Sequence, residues 1–129
     1  MKKRKTTLAE IYVLNQEICG GHSPFGELQG LLSIKMSVLA KFRLNMLLES
    51  MTPTVRRILE VREELVKEIF GEDLPVIGDP RAEICEYKFQ EFLSQEWEIE
   101  YKPLPLSHYE SMELGPEYRF IINYMEDDK

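Results

Sequence analysis

The feature that most constrains the fold is a long run of apolar residues at helical spacing in the middle of the chain, interrupted by Pro53. Side chains three and four positions apart share one face of an α-helix, so the run predicts helices over Leu31–Ser50 and Thr52–Phe70. A threonine before Pro53 is typical of a helix start, and Gly71 is typical of a helix end. Because the connection is short, we expect the two helices to form an antiparallel hairpin.

The apolar residues of this region also predict which helix faces are buried. In the first helix the predicted core face consists of Leu31, Ile34, Val38, Leu39, Phe42 and Met46, with Leu47 beside them. In the second it consists of Val55, Ile58, Leu59, Leu65, Val66, Ile69 and Phe70. Arg62 falls inside the second stripe, which predicts either a buried ion pair, with Glu49 as one candidate, or a side chain whose stem follows the helix edge into water.

Two further helices flank this region in the sequence. Apolar spacing predicts one over residues 7–19, and Asp79 followed by Pro80 is a capping residue and a first turn, which predicts another up to about Gln95. Ser23 before proline is a further candidate helix start. The expected fold is therefore mainly α, a hairpin or bundle of about four helices.

After the last of these helices the spacing of the apolar residues changes from that of a helix to that of a strand. Trp97, Ile99 and Tyr101 alternate with glutamates at 96, 98 and 100, which predicts a half-buried strand. Its candidate partners are Ser111–Leu114, in a short β-ribbon near the C-terminus, or a strand of another chain, as in a homodimer. Residues 118–125 favour a short last helix, although 120–124 also suit a strand.

The charge distribution bears on the kind of partner. The chain has 129 residues and a net charge of −7, yet residues 2–5 are all basic. We expect one domain over 1–129 with a frayed basic end at 1–6. An acidic body disfavours binding to nucleic acid, and no apolar run is long enough to cross a bilayer, so the expected location is the cytoplasm.

Few residues offer chemistry. Cys19 and His22 are three apart, but a zinc site needs further ligands, and only Cys85 and His108 are available. The same residues are the only candidates for thiol catalysis. The glycine-rich segment 19–26 lacks the lysine of a phosphate-binding loop and predicts a turn. We therefore expect no catalytic residue, no metal and no cofactor, and two buried, reduced thiols.

The sequence does offer binding candidates. Aromatic side chains that combine an apolar body with a polar group are common at interfaces, which makes Trp97, Ile99, Tyr101 and Tyr109 the predicted contact residues. The glutamates at 96, 98 and 100 form either a solvated row or an acidic surface that faces a partner. Arg56, Arg57 and Arg62 are candidates for anion binding, in a pocket between two chains.

Two stretches, IKMSVLAKFRLNMLLESMTPTVRRILEVREELVKEIFGED and EWEIEYKPLPLSHYESMELGPEYRFIINYMEDD, are similar to a family of small uncharacterised helical proteins of bacteriophages and prophages. The resemblance implies a phage origin and no active-site residues. We therefore expect a non-catalytic protein that binds a phage or host protein through the acidic strand and C-terminal segment, in virion assembly or on a host factor. The alternative is a module that binds a small ligand or nucleotide, such as an inhibitor of host defence. The expected location narrows to the host cytoplasm or the virion.

Overall fold

The computed structural model of this chain describes residues 1–23, 26–74, 76 and 78–128. Over this part of the chain the fold is mainly helical, as predicted, with three α-helices. Helix α1 spans Leu8–Cys19, α2 spans Val38–Phe70 and α3 spans Pro80–Leu93. The strands are β1 Lys2–Thr7, β2 Gly21–Ser23, β3 Gly26–Leu28, β4 Glu96–Tyr101, β5 Leu104–Pro105 and β6 Met125–Glu126.

The predicted pair of helices in the middle of the chain is one continuous helix, so the expected hairpin is wrong. Helix α2 begins after Ser37, whose hydroxyl accepts a hydrogen bond from the Ala40 amide at 3.1 Å, and it runs past Pro53 to Gly71. Pro53 lies on the exposed side. An interior proline costs about 3 kcal/mol, but the buried stripe continues on both sides of it, and the burial of that stripe keeps the helix in one piece. The stripe consists of Ala40, Leu44, Leu47, Met51, Val55 and Ile58.

The first predicted core face of this region is correct for Leu31 and Leu47, which are buried, and wrong for three of its other residues. Val38 is 87%, Leu39 51% and Phe42 56% exposed, because α2 buries the opposite side. The stretch that holds Leu31 is a separate 3-10 turn ahead of the helix, so its side chains do not continue the α2 pattern. The first half of α2 therefore carries two apolar faces, one in the core and one in solvent.

The basic N-terminal segment is an ordered strand rather than a frayed end. Strand β1 pairs antiparallel with β4, with Lys3 opposite Glu100 and Lys5 opposite Glu98. Opposite charges in directly facing positions stabilise a sheet, and this pairing places a lysine opposite two of the three glutamates of the acidic row. The predicted strand β4 is confirmed, but its predicted partner near residue 111 is wrong, since residues 111–114 contain no strand.

Two other local expectations have mixed outcomes. The predicted helices at α1 and α3 are confirmed, with Thr7 and Asp79 as their capping residues. Ser23, the further candidate helix start, lies in β2, which pairs with β3 in a hairpin. The expected last helix is a short 3-10 turn over Ile121–Tyr124, after which β6 pairs in parallel with β5.

Helix α1 lies at the centre of the fold and contacts α2, α3 and β1. The main core surrounds it, and a smaller cluster of Leu8, Ile58, Phe89 and Leu93 lies at its start. The main core consists of Ile11, Leu14, Ile18, Leu31, Ala40, Leu44, Leu47, Met51, Val55, Ile99, Tyr101, Leu104, Tyr109, Ile121 and Tyr124.

Two glutamates of α1 are buried with these apolar residues. Glu10 accepts hydrogen bonds from Arg4 Nε at 2.8 Å and Nη2 at 2.9 Å, from Thr6 Oγ1 at 2.6 Å and from the Tyr124 hydroxyl at 2.8 Å. Glu17, which is fully buried, accepts hydrogen bonds from the backbone amides of Phe120 and Ile121, at 3.1 Å each. Helix α1 therefore fastens both β1 and the C-terminal segment.

Candidate functional site: an apolar groove beside Trp97

An apolar groove opens where the start of α1, the middle of α2, the end of α3 and β4 meet. Its volume is about 470 Å³, within the range of pockets that accept a ligand or a side chain of a partner. The lining residues are Leu8, Pro53, Thr54, Arg57, Ile58, Val61, Phe92, Gln95 and Trp97.

The groove follows from how the ends of these elements meet. The Leu8 amide donates a hydrogen bond to the Gln95 carbonyl at 3.1 Å, which holds the start of α1 against the end of α3. Beneath the groove, Ile58 belongs to the small core cluster and Phe92 packs against that cluster. The Phe92 ring stacks on Phe89 with centroids 6.5 Å apart. The base of the groove is therefore packed, while its mouth faces solvent.

Trp97 forms part of the wall because of its position in β4. In the antiparallel pairing it lies opposite Thr6, near the end of the two-stranded sheet. Ile99 and Tyr101 follow on the same face and are each 5% exposed, whereas Trp97 is 44% exposed. The indole therefore lies beyond the edge of the main core, where a partner can reach it.

Of the four predicted contact residues, only Trp97 lies at an accessible surface. The other three are core residues, so their prediction as an interface is wrong. Tyr101 packs edge-on against Tyr124 with ring centroids 4.8 Å apart. Tyr109 is 4% exposed and donates a hydrogen bond to the Ala40 carbonyl at 2.7 Å, and burial raises the pKa of its hydroxyl to about 12.

The three predicted arginines do not converge. Arg57 lines the groove and lies 3.8 Å from Glu60, while Arg62 donates to the Tyr12 hydroxyl at 2.9 Å and lies over the Phe89 ring. Successive helix residues are about 100° apart, so Arg56, Arg57 and Arg62 point in three directions. Arg62 is exposed, and its suggested partner Glu49 is thirteen residues away on the same helix, roughly 20 Å along the axis. The interpretation of Arg62 as part of a buried ion pair is therefore wrong.

A second, more polar cleft of about 480 Å³ lies between β1, α1 and the segment around Phe120. Its cationic and acidic residues are mixed, and Arg4 and Glu10 are bound to each other inside it. The lining residues are Arg4, Lys5, Thr6, Thr7, Ala9, Glu10, Val13, Glu117, Arg119 and Phe120.

The cysteines differ from the expected buried thiols. Cys19 is exposed and Cys85 is half-buried, and both are free. Over the residues that the structure describes, no three His, Cys, Asp or Glu side chains are grouped as a metal site would need. The side chain of His22, the other half of the candidate pair, lies outside the described residues.

Sequence reasoning missed most of the groove. Leu8 and Phe92 lie in two of the predicted helices, and nothing local shows that the elements carrying them end at one place. Pro53 lies on the exposed side of α2 at the groove, but it gave no signal for the groove, because a threonine followed by proline is typical of a helix start.

Comparisons with known proteins find no relative of this chain. No protein-family model, no curated protein and no solved structure matches this chain. No helix in the described ranges is both long and apolar enough to cross a membrane.

Proposed function

We propose that this chain is a non-catalytic, phage-encoded interaction protein that binds a protein partner, of phage or host origin, through the groove beside Trp97. The observation that carries the proposal is the groove itself, where a half-exposed tryptophan adjoins a packed apolar base. Tryptophan is enriched among the residues that dominate binding energy at interfaces. The proposed place of action is the host cytoplasm or the virion.

The groove favours a particular kind of partner segment. Its base and walls are mostly apolar, which suits one or two large apolar side chains. Arg57 at the rim has an 84% exposed side chain, so a carboxylate on the partner would find a cation there. The expected ligand is therefore a segment in which an apolar residue lies next to an acidic one.

The proposed contact surface does not include the acidic row of β4. The outward face of that strand already lies opposite Lys3 and Lys5, which lowers its value as an acidic surface. Trp97 lies on the other face of the same strand, beside the groove. The C-terminal segment contributes to the fold through Glu17 and Glu10 rather than to this surface.

The test is affinity capture of the tagged protein from phage-infected cells. The wild type is compared with Trp97→Ala and with Ile122→Ala, which truncates an apolar side chain that is 64% exposed outside the groove. We expect a stoichiometric protein partner with the wild type and the Ile122 variant, and its loss with the Trp97 variant. Capture that survives Trp97→Ala, with circular dichroism unchanged, contradicts the proposal.

The captured partner can then be titrated in solution. Trp97 is the only tryptophan of the chain. If a partner without tryptophan covers the indole, its emission shifts to shorter wavelength as water is displaced. An unchanged emission at saturating partner places the contact elsewhere.

The second candidate function is binding of a small ligand or nucleotide. The polar cleft around Glu10 favours it, because Lys5 and Arg119 both line a space of ligand size. A thermal-shift screen with nucleotides tests it, since a ligand that binds only the folded chain raises its melting temperature. A shift that is lost in Lys5→Ala supports this function, and the absence of any shift counts against it.

A further inference from the structure

The first half of α2 carries an exposed apolar face that the proposed groove does not use. Val38, Leu39 and Phe42 lie on the side of the helix that faces away from the core and are 87%, 51% and 56% exposed. Three large apolar side chains within about one helical turn form a contiguous patch, and such patches on helices commonly mark contacts with other proteins. We call this surface the basic apolar face.

The charge around this patch is opposite to that of the molecule. Lys35 and Lys41 flank it and are exposed, and the sequence from residue 28 to 48 contains three cationic and no acidic residues. The whole chain has a net charge of −7. A partner for this face therefore needs apolar side chains accompanied by carboxylates.

Helix α3 presents a surface of that kind. Ile84 is 50% and Tyr87 71% exposed, and Glu83 and Glu91 lie one turn before and one turn after Tyr87 on the same side. Lys88, the nearby cation, lies 3.7 Å from Glu68 and is thereby matched within the molecule. We call Ile84, Tyr87, Glu83 and Glu91 the acidic apolar face.

One molecule cannot join these two faces. The contact of Lys88 with Glu68 places the middle of α3 beside the last turns of α2. Phe42 is 26 residues before Glu68 on that helix, which is roughly 39 Å along its axis. The faces therefore lie near opposite ends of α2, and they meet only between copies.

We propose that copies of this chain associate head to tail, with the basic apolar face of one copy on the acidic apolar face of the next. Pairing of two basic faces would bring like charges together, which disfavours a symmetric dimer through this surface. A contact between two different faces repeats from copy to copy, so it produces a ring or an open filament. The small size of both patches gives weak, salt-sensitive association.

Sedimentation velocity over a range of protein concentrations tests the proposal. We expect the mean mass to rise with concentration at low salt and to fall when salt is added. Phe42→Ser and Tyr87→Ser should each weaken the association at least about tenfold. Ile122→Ser, at an exposed apolar position outside both faces, should leave it unchanged.

A charge exchange identifies the two faces as partners. Lys35→Glu with Lys41→Glu makes both faces acidic, while Glu83→Lys with Glu91→Lys makes both basic. Each double variant alone should remain monomeric, and an equimolar mixture should associate again. All substituted positions are exposed, and circular dichroism checks that each variant is folded.

Three results would overturn the proposal. They are a wild type that stays monomeric at every concentration, a mixture that fails to associate, and binding of anionic lipid vesicles through Phe42 without self-association. The groove proposal is unaffected by any of them, because Trp97→Ala alters neither face.

Discussion

Glu10 and Glu17 lie two turns apart on the buried side of α1, but their surroundings have opposite electrostatic effects. Burial alone raises the pKa of Glu10, and hydrogen bonds from Arg4, Thr6 and Tyr124 outweigh it and hold that pKa at about 2. Burial also raises the pKa of Glu17, and the two backbone amides do not offset it. Glu10 accepts two hydrogen bonds from the Arg4 guanidinium, whereas the donors to Glu17 at Phe120 and Ile121 are uncharged backbone amides.

Helix α1 thus fastens two distant segments of the chain by different chemistry. The start of α1 holds β1 through side chains, chiefly the forked contact of Arg4. The end of α1 holds the segment at 120–121 through hydrogen bonds from the backbone amides of Phe120 and Ile121 to Glu17. Ionisation of Glu10 therefore favours the folded state, and ionisation of Glu17 opposes it.

The largest expected effect is on the pH dependence of stability. Because the folded pKa of Glu10 is about 2 against an ordinary 4.5, its ionisation stabilises the fold by about 3 kcal/mol above pH 4.5, and this is lost as the pH falls towards 2. The ionisation of Glu17 has the opposite effect and destabilises the fold. Its contribution is complete below pH 4.5 and is lost as the pH rises through its raised pKa.

Urea unfolding from pH 2 to 8 measures both contributions. In Glu10→Gln the loss below pH 4.5 should shrink, and in Glu17→Gln the loss above pH 4.5 should shrink. Equal pH profiles for the two variants would break the contrast between the two ends of α1.

Truncation of Glu17 should lower the free energy of unfolding by a similar amount. In Glu17→Ala the amides of Phe120 and Ile121 lose their acceptor inside the core, which should lower the free energy of unfolding by roughly 3 kcal/mol. Glu17→Gln keeps an acceptor oxygen and should lose less. Urea unfolding at constant pH compares them, and an alanine variant as stable as the glutamine variant rules out the proposed role of the amides.

Removal of Arg4, the cation at the start of α1, should lower the free energy of unfolding by less. In Arg4→Ala the Glu10 side chain, which is 7% exposed in the wild type, loses its cation, and we expect a loss of roughly 2 kcal/mol at neutral pH. Lys5→Ala, one residue along on the outer face of β1, is the matched control and should lose under about 0.5 kcal/mol. Equal losses would show that the strand, rather than the ion pair, supplies the stability.

The smallest effect concerns a single hydroxyl. Tyr124→Phe removes one of the donors to Glu10 and should lower the free energy of unfolding by about 1 kcal/mol. Acid titration of Glu10 by NMR should show a higher pKa in this variant, because one lowering contact is gone. An unchanged pKa would mean that Arg4 and Thr6 suffice.

How much of this could be predicted from the sequence depends on the range of the interaction. Capping residues and apolar spacing are local, and they were enough for α1, α3 and β4. Pro53 was misleading, because burial on the far side of α2 outweighed a local signal to stop. The pairing of β1 with β4 joins residues 89 to 99 positions apart, and opposite charge at 2–5 and 96–100 was its only trace.

The site was less predictable than the fold for the same reason. Trp97, Ile99 and Tyr101 share one strand face and one sequence pattern, and only their distance from the end of the sheet separates an accessible indole from two core residues. The partners of Glu17 are backbone amides, which every residue except proline has. Such a contact leaves no pattern in the sequence.

The hydrogen bonds of Glu17 also bear on the order of folding. They join residues 103 and 104 positions apart. The helices depend on nearby residues and form early, whereas closing so long a loop is slow and comes late. During synthesis Glu17, on the apolar side of α1, therefore lacks these hydrogen bonds until residues 120 and 121 have left the ribosome. The last contacts to form are those that complete the core.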